Sequence, residues 1–340
     1  MFLETLSNLP GVSGDEGRVR QAIIEILKDH PLEMKRDHLG NLFFRKKSPV
    51  QEPRVMLTAH MDEVGLMIVS VDKSGHLKFR TVGGIDARVL AGKRVKVGPD
   101  AVPGVIGVKP VHLQKPGEPQ KPYEIEQMTI DIGAKNNEEA DKYVKIGDYA
   151  TYDSVFTPLG VGYFRGKAFD NRAGCAVLIE LLLDPDTPAF DAVFTVQEEI
   201  GSRGALVAAY TLKPKRALVL EGTVAADTPG TDQAQSSTIL GGGPAISTMD
   251  RSVIVDREML RELIATAGAA GIPFQFRRFT GGATDAGAIA LSREGVKAAL
   301  LSVPCRYIHS PHSVLKESDF YDTVNLARTW LQTESGPKQY

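Results

Sequence analysis

The 340-residue sequence has little of several features that mark particular classes of protein. No stretch approaches the roughly 20 consecutive apolar residues that a membrane-spanning helix needs, so a membrane protein is not expected. No long run of lysine and arginine occurs and the formal net charge is −2, which argues against nucleic acid as a partner. The first residues also lack the basic start and apolar run of a secretory signal peptide.

Cysteine is scarce, with only Cys175 and Cys305 in the chain, and the two form no CxxC motif. Widely separated cysteines in a chain of this length are typical of buried thiols in a reducing compartment. Together with the missing signal sequence, they predict a soluble cytoplasmic protein.

Apolar residues make up 42% of the chain, enough for a substantial core, and the length favours two domains. Residues 13–29 have the apolar periodicity of an amphipathic helix, with Ser13 or Asp15 as its expected N-cap. Apolar strands alternate with helical segments before residue 66 and after residue 164. This alternation predicts a mixed sheet covered by helices on both faces, an α/β/α domain made of residues 1–65 and 165–340.

Residues 66–164 have a different character, because short β-rich runs follow one another without a helical period. Glycine, proline and lysine punctuate these runs, as in a small β-barrel or sandwich. The runs are LMIVSVD, HLKFRTV, KRVKVG, GVIGVK, MTIDIGA and DYATYD. We therefore predict a β-barrel domain inserted into the α/β domain. A loop rich in proline, lysine and glutamate, LQKPGEPQKPYEIEQ, interrupts it and is expected to be mobile.

Imidazoles and carboxylates follow apolar runs at five places in the predicted α/β domain. Ligands of open α/β sheets bind in the crevice outside the carboxyl ends of the strands, where such side chains would meet. The residues at these places are His60, Asp170, the pair Glu198 and Glu199, Glu221, and His309.

Several carboxylates in one crevice are costly to keep ionised unless a cation lies among them. Imidazole and carboxylate together suit zinc, cobalt or manganese, whereas oxygen ligands alone would favour magnesium or calcium. The set is too large for one tetrahedral site, so we predict two metal ions bridged by a carboxylate. Because side chains alternate along a strand, one of Glu198 and Glu199 would bind metal and the other would transfer protons.

Each member of the set also has a simpler interpretation. Asp170 could be only a helix N-cap, and Glu221 could belong to a plain turn. His312 is an alternative to His309, three residues further along. A Glu-Glu pair is usually only solvated. The shared position at strand ends favours the metal site over these separate explanations.

Six motifs extend this interpretation to nearly the whole chain. They are AHMDEVG, FDNRAG, VQEEIGSRGA, EGTVAADTPG, GGATDAGAI and RYIHSP, in that order. Together they resemble the M42 family of dinuclear metallo-aminopeptidases, which includes glutamyl aminopeptidases and the tetrahedral TET peptidases.

The resemblance implies a role for each residue of the set. The implied ligands are His60 and Glu221 for one metal, Glu199 and His309 for the other, and Asp170 as the bridge. Glu198 would be the general base that activates a bridging water, and Asp62 would orient His60. Many relatives have aspartate where this chain has Glu221, and Asp227 is a less favoured substitute for that ligand.

The resemblance also implies partners. Peptides would be the substrates, the β-rich insertion would take part in dimer contacts, and dimers would assemble into a hollow dodecamer. Thr284 and Asp285 are expected to line the substrate crevice, although a glycine-rich turn capping a helix explains their motif nearly as well. A preference for N-terminal glutamate would need a cation near the substrate pocket, for which Arg251 and Arg306 are candidates.

Two other functions compete with the aminopeptidase. A glycoside hydrolase of the endoglucanase type could use Glu198 and Glu221 without metal. It would leave both histidines unused and would have a single tryptophan, Trp330, as a platform for sugar. A non-catalytic metal-binding assembly protein is the other alternative, but it gives Glu198 no role.

Overall fold

The computed structural model describes residues 2–46, 55–113, 122–232, 237–278 and 280–335. Most of the predicted proline-rich loop therefore lies outside the described residues. The helices are α1 Phe2–Asn8, α2 Gly17–Leu27, α3 Asn137–Ala140, α4 Phe169–Leu183, α5 Arg203–Leu212, α6 Arg257–Ala270, α7 Asp285–Ala290 and α8 Glu317–Ser335. The strands up to the end of the barrel are β1 Leu32–Arg36, β2 Leu42–Lys46, β3 Val55–His60, β4 Gly65–Val71, β5 Leu77–Val82, β6 Arg94–Val97, β7 Val102–Gly107, β8 Thr129–Asp131 and β9 Tyr149–Tyr152. The later strands are β10 Thr157–Pro158, β11 Tyr163–Gly166, β12 Asp191–Thr195, β13 Arg216–Val224, β14 Ala245–Ser247, β15 Gln275–Arg277, β16 Lys297–Arg306 and β17 Ser313–Lys316.

A mixed sheet forms the centre of the larger domain. The order of its strands is β1-β2-β12-β3-β13-β16-β17-β11-β10, and β14 pairs with β15 and β16 beside this path. The four central strands, β12, β3, β13 and β16, run parallel to one another. β3 and β12 are buried at every position, as expected of strands that are covered on both faces.

The register of the central strands aligns their carboxyl ends. Thr195 at the end of β12 pairs with His60 at the end of β3. On the other side of β3, Val219 of β13 pairs with Thr58, so Glu221 and His60 both lie two residues beyond this pair. The sequence suggested that this strand ends at Glu221, but β13 continues to Val224. The alignment brings an imidazole and a carboxylate to the same edge of the sheet.

Helices pack against the sheet in two groups. α4 contacts β3 and β13 and packs with α1, α2 and α8, whereas α5 packs with α7 and β12. α4 is apolar around nearly its whole circumference, which suits a helix enclosed by sheet and helices. The mixed-sheet α/β architecture predicted from the sequence is confirmed. No helix in the described ranges is both long enough and apolar enough to cross a membrane.

The predicted start of the amphipathic helix is wrong. α2 begins at Gly17, and Glu16 precedes it without a side-chain capping bond. Ser13 cannot cap the helix because its hydroxyl is used elsewhere, donating to Asp62 Oδ2 at 2.6 Å. The segment between Gly11 and Glu16 thus contacts residues of the site described below, through the hydrogen bond from Ser13 to Asp62.

The six predicted β-rich runs close into one barrel, in the order β4-β5-β8-β7-β6-β9. All neighbouring barrel strands are antiparallel, and alternate residues such as Leu66, Ile68 and Phe79 fill its interior. The predicted insertion extends too far, because its range of 66–164 runs beyond the last barrel strand, which ends at Tyr152. β10 and β11 pair with each other and with β17 of the large sheet instead.

Candidate metal centre

His60 is held at the end of β3 by the residues that follow it. Its side chain is buried, and Asp62 Oδ1 lies 3.4 Å from its Nδ1. Asp62 also accepts hydrogen bonds from the backbone amides of Glu198 at 3.0 Å and Glu199 at 3.1 Å. The buried carboxylate of Asp62 therefore contacts both the ring of His60 and the loop after β12. The sequence did not suggest its contact with that loop.

Asp170 lies between the two predicted histidines. Its Oδ1 is 3.3 Å from His60 Nε2, and its Oδ2 is 3.3 Å from His309 Nε2. The backbone at Asp170 and Asn171 departs from helical geometry at the start of α4. The capping role considered for Asp170 falls to Asn171, whose Oδ1 accepts from the amide of Gly174 at 2.9 Å. Both oxygens of Asp170 are therefore free to face the cleft.

The remaining carboxylates complete two groups of three residues. In the first group, Glu221 Oε2 is 3.5 Å from His60 Nε2, and Asp170 is the third member. In the second, Glu199 Oε1 is 3.3 Å from His309 Nε2, again with Asp170. The ligand atoms of each group lie within 4.8 Å of one another. Asp170 is the one residue that the two groups share.

The barrel contributes to the second group through its backbone. His309 has a positive φ of 58° in the loop after β16, and its Nδ1 lies 2.8 Å from the carbonyl oxygen of Gly84. Gly84 follows β5 of the barrel. With Nδ1 engaged by this carbonyl, Nε2 is the ring nitrogen that faces Asp170 and Glu199.

Glu198 lines the same cleft but belongs to neither group. The strand alternation used to separate it from Glu199 does not apply, because β12 ends at Thr195 and Gln197 has a positive φ of 57°. A turn, and not a pleated strand, sends the two carboxylates in different directions. Ser202 Oγ donates a long bond of 3.4 Å to Glu198 Oε1.

The electrostatics of the cleft favour a positively charged occupant. Burial alone would lower the pKa of His309, but hydrogen bonds to Asp170 and Glu199 raise it to about 11. Burial raises the pKa of Glu221 to about 8 and that of Glu198 well above its usual value. The carboxylates in the cleft are more numerous than the two imidazoles that could balance their negative charge. Such an excess of negative charge is unfavourable in a buried site.

The residues of the two groups suit a pair of divalent cations. Glu221 Oε1 is buried and has no hydrogen-bond partner among the described residues, although such an atom normally has one. Each group offers one imidazole and two carboxylates, the mixture that zinc, cobalt and manganese accept, with three protein ligands and open positions for other molecules. A cation beside Glu221 would satisfy its unpartnered oxygen and compensate the excess charge.

Comparison with known proteins agrees with this geometry. Residues 40–326 match the family model described as M42 glutamyl aminopeptidase. The chain belongs to the M42 peptidase family. It is 33% identical to the lysyl aminopeptidase of Pyrococcus furiosus, over 97% of this chain and 96% of that protein. It is 32% identical to the glutamyl aminopeptidase of Lactococcus lactis, over 98% of this chain and 96% of that protein.

Solved structures show the same relationship. The TET1 peptidase of Pyrococcus horikoshii, which can assemble into a tetrahedron or a large octahedral shell, superposes with a TM-score of 0.86. It is 35% identical, and the match covers 96% of this chain and 97% of that one. The family and the aminopeptidase class inferred from the motifs are confirmed.

The two residues predicted to line the substrate crevice, Thr284 and Asp285, differ in their exposure to the cleft of this M42 aminopeptidase. Thr284 lines the cleft, but Asp285 does not, because its side chain is fully buried and accepts from Thr195 Oγ1 at 2.6 Å. Asp285 lies at the start of α7, directly behind the loop that carries Thr284. The expectation that both residues line the crevice is therefore wrong for Asp285.

The alternative ligands considered for this M42 peptidase have other partners. His312 Nδ1 lies 3.0 Å from Ser154 Oγ. Asp227 forms a bidentate ion pair with Arg306, at 2.7 and 2.6 Å. Neither His312 nor Asp227 belongs to the two groups found among the described residues.

A buried ionic cluster fixes the chain on both sides of Asp170. Glu63 Oε1 accepts from Lys167 Nζ at 2.6 Å and lies 3.3 Å from Arg172 Nη2, and all three side chains are at most 3% exposed. Arg172 also donates to the carbonyl oxygen of Met61 at 2.8 Å. The cluster joins the segment after His60 to the residues that flank Asp170.

We expect the substitution Glu63→Gln to lower the free energy of unfolding by roughly 3–5 kcal/mol, because it leaves two buried cations without their carboxylate. Thermal or denaturant unfolding would measure the change. Glu25→Gln is the matched control, since Glu25 pairs with Lys28 on the surface and its side chain is 60% exposed; this variant should unfold like the original chain. Equal stability of the two variants would contradict a structural role for Glu63.

Proposed function

We propose that this protein is a two-metal aminopeptidase that removes single residues from the N-termini of peptides. One observation carries the proposal: the two oxygens of Asp170 each lie 3.3 Å from a different histidine. A carboxylate in that position can bridge two ions. Divalent cations held by these residues would supply Lewis acidity, which polarises a peptide carbonyl and lowers the pKa of water toward neutral.

The ligands follow from the two groups of residues. His60, Asp170 and Glu221 would hold one ion, and Asp170, Glu199 and His309 would hold the other. Asp62 would keep the ring of His60 in position through Nδ1. Glutamate at position 221 reaches the cleft from within β13, and its Oε1, which has no hydrogen-bond partner among the described residues, supports its part as a ligand.

Glu198 is the proposed general base. It lines the cleft and is absent from both ligand groups, so its carboxylate is available for proton transfer. One of its oxygens would accept a proton from the water that attacks the first peptide carbonyl. The same proton would then pass to the leaving amine as the peptide bond breaks, which returns Glu198 to its starting state.

Removal of metal is expected to abolish aminopeptidase activity. Exhaustive dialysis against a chelator should reduce turnover of aminoacyl anilides to background, and adding zinc, cobalt or manganese should restore it. The reason is that the proposed reaction depends on divalent cations to polarise the peptide carbonyl and to activate the attacking water. Full activity in protein shown by elemental analysis to be free of metal would contradict the proposal.

The same assay separates the two competing functions. An endoglucanase that uses Glu198 and Glu221 would hydrolyse cellulose with or without chelator. A metal-binding assembly protein would bind ions and turn over neither substrate. Membership of an aminopeptidase family and the engagement of both histidines with Asp170 favour peptide hydrolysis over either alternative.

We also propose that the barrel mediates dimer contacts and that dimers assemble into a dodecamer. The similarity to a TET1 peptidase that can form a tetrahedron or a larger shell supports self-association. Light scattering of the purified protein would test it, with a mass near twelve times 36.8 kDa expected. A mass near that of one chain would contradict the proposal.

The proposed location of the protein is the cytoplasm. Both cysteines, Cys175 and Cys305, are buried free thiols, as suits a reducing compartment. Fractionation of cells that produce the protein would test this, and recovery outside the cytoplasmic fraction would contradict it.

A further inference from the structure

The side chain of the proposed general base is held by a hydroxyl from its own loop. Ser202 Oγ lies 3.4 Å from Glu198 Oε1, and this is the one hydrogen bond to that carboxylate from the described residues. Both residues lie between β12 and α5, in the loop of residues 196–202. The direction in which Glu198 points therefore depends on where the Ser202 hydroxyl lies.

The backbone of Ser202 is in a conformation that is unfavourable for residues other than glycine. Its φ is 51° and its ψ is 36°, which is the left-handed region, at the residue before α5. Its side chain does not cap the helix, and the residue is only 8% exposed. Neither helix capping nor solubility therefore explains a serine here. The contact of its hydroxyl with Glu198 does explain it.

A second carboxylate interacts with the same hydroxyl. Asp285, at the start of α7, is fully buried. Burial raises the pKa of Asp285 to about 6, although His60 and the hydroxyls of Thr195 and Ser202 oppose the rise. Thr195 Oγ1 donates to Asp285 Oδ2 at 2.6 Å, and Oδ1 has no close hydrogen-bond partner among the described residues. Oδ1 is thus available to the Ser202 hydroxyl.

Asp285 contacts both ends of the loop that carries the base. Thr195 is the last residue of β12, directly before the loop, and Ser202 is the last residue of the loop. In the middle of the loop, Asp62 accepts hydrogen bonds from the amides of Glu198 and Glu199. Because α7 packs against α5, Asp285 reaches this loop from a distant part of the chain.

A hydroxyl suits a contact with a group that gains and loses a proton. It donates one hydrogen and accepts through its lone pairs. Ser202 can donate to Glu198 while that carboxylate is ionised. Once Glu198 has taken a proton, it can donate to Ser202 Oγ, and the hydrogen of Ser202 can turn to Asp285. The contact with the base therefore exists both before and after proton transfer.

We propose that Ser202 and Asp285 are positioning residues for the general base: Asp285 fixes the Ser202 hydroxyl, and this hydroxyl fixes the carboxylate of Glu198. The proposal rests on the function proposed above for Glu198 and adds two residues to it. Neither residue is among the described residues that line the cleft or form the ligand groups. Both should therefore affect turnover without affecting metal content or substrate affinity.

The first test measures kcat, KM and metal content with leucine anilide and the metal-loaded enzyme. Ser202→Ala should lower kcat roughly 10-fold, the value of one hydrogen bond to a charged group, and should leave KM and metal content within about twofold. Ser202→Gly should lose as much turnover, yet it should unfold at a temperature no lower than that of Ser202→Ala, because glycine relieves the backbone strain. An unchanged kcat, or a loss of metal in its place, would overturn the proposal.

The matched control for the loss of a buried serine hydroxyl is Ser292→Ala. Ser292 follows α7, is 3% exposed and lies outside the described lining of the cleft, and its hydroxyl has no hydrogen-bond partner in the described ranges. Its kcat should stay within about twofold of the original value. An equal loss in Ser292→Ala would show that the effect of Ser202→Ala is not specific to the base.

The second test asks whether Ser202 acts through Glu198. In a chain that already carries Glu198→Gln, adding Ser202→Ala should change kcat by less than about twofold, because no base remains to be positioned. The comparison is made with enzyme in excess of substrate, so that slow turnover is measurable. A 10-fold loss in this background as well would show that Ser202 acts elsewhere, and the proposal would be wrong.

The third test concerns Asp285. Asp285→Asn should keep kcat within about threefold, because an amide can accept from Thr195 and donate to Ser202 Oγ, whereas Asp285→Ala should lose as much as Ser202→Ala. Adding Asp285→Ala to Ser202→Ala should lower kcat no further. Full turnover in Asp285→Ala, or additive losses in the double variant, would remove Asp285 from the proposal.

Failure of the underlying function has a different signature. If the original metal-loaded chain hydrolyses no aminoacyl anilide, the aminopeptidase function fails. If Glu198→Gln turns over normally, the assignment of the base fails, and the positioning role with it. Ser202→Gly removes the hydroxyl and relieves strain, so it tests the proposal even if Asp285→Ala does not fold.

Discussion

Replacing Asp170 with asparagine is expected to remove both metal ions and with them the aminopeptidase activity. Asp170 is the only residue shared by the two ligand groups of the described chain. An amide has one acceptor oxygen and a neutral nitrogen that repels a cation, so Asp170→Asn would disturb both groups together. Activity should fall by more than the roughly 10²-fold that accompanies the loss of an outer-shell partner. Elemental analysis and anilide turnover would measure the two losses.

The matched control for this variant is Asp186→Asn. Asp186 is exposed after α4, far along the helix from the cleft, and the substitution is chemically the same. It should keep its metal and its turnover. If Asp170→Asn retained one full equivalent of metal, the prediction that both ions depend on Asp170 would be wrong.

Replacing Glu198 with glutamine is expected to lower kcat by roughly 10²- to 10⁴-fold while metal content stays the same. Glutamine fills the same space but cannot accept and return a proton. Because Glu198 is absent from both ligand groups, the substitution should not change how tightly the metal ions are bound. Steady-state kinetics with elemental analysis of the same sample would establish both parts of the prediction.

The neighbouring position provides the contrast. Glu199→Gln is the same substitution one residue further along, but it alters a carboxylate that lies 3.3 Å from His309 Nε2. This variant should lose metal as well as activity, and added metal at high concentration should restore part of its turnover. Near-normal turnover in Glu198→Gln would show that another group acts as the base.

The sequence predicted the fold and the approximate position of the site, because both depend on short-range patterns. Alternating βα units specified the parallel centre of the sheet, and the apolar run before His60 marked a strand whose end would face the crevice. The barrel was visible as six short strands. Its end was misplaced because β10 and β11 are also short strands, and only their pairing with β17 assigns them to the large sheet.

The finer features of the site depend on backbone conformation and long-range contacts. Gln197 has a positive φ, and this turns the chain before Glu198. The residue types in that stretch do not indicate such a turn. Asp62 was assigned only to His60, yet its contacts with the amides of Glu198 and Glu199 exist because two distant loops meet. The roles of Glu63 and Asp285 likewise follow from which segments pack together.

Two residues that were predicted together to line the crevice differ in burial. Thr284 and Asp285 are adjacent, but only Thr284 reaches the cleft, because α7 begins at Asp285 and directs its side chain toward Thr195. Adjacent positions at a helix start face different directions, and a motif cannot say which of them is enclosed.

Anomalous diffraction from crystals of the protein loaded with zinc would locate the ions and their ligands. We expect two zinc peaks in the cleft, one bound by His60, Asp170 and Glu221 and the other by Asp170, Glu199 and His309. Both ions should lie within bonding distance of Asp170. A cleft with no ion, or with a single ion held by residues other than these, would contradict the two-metal assignment.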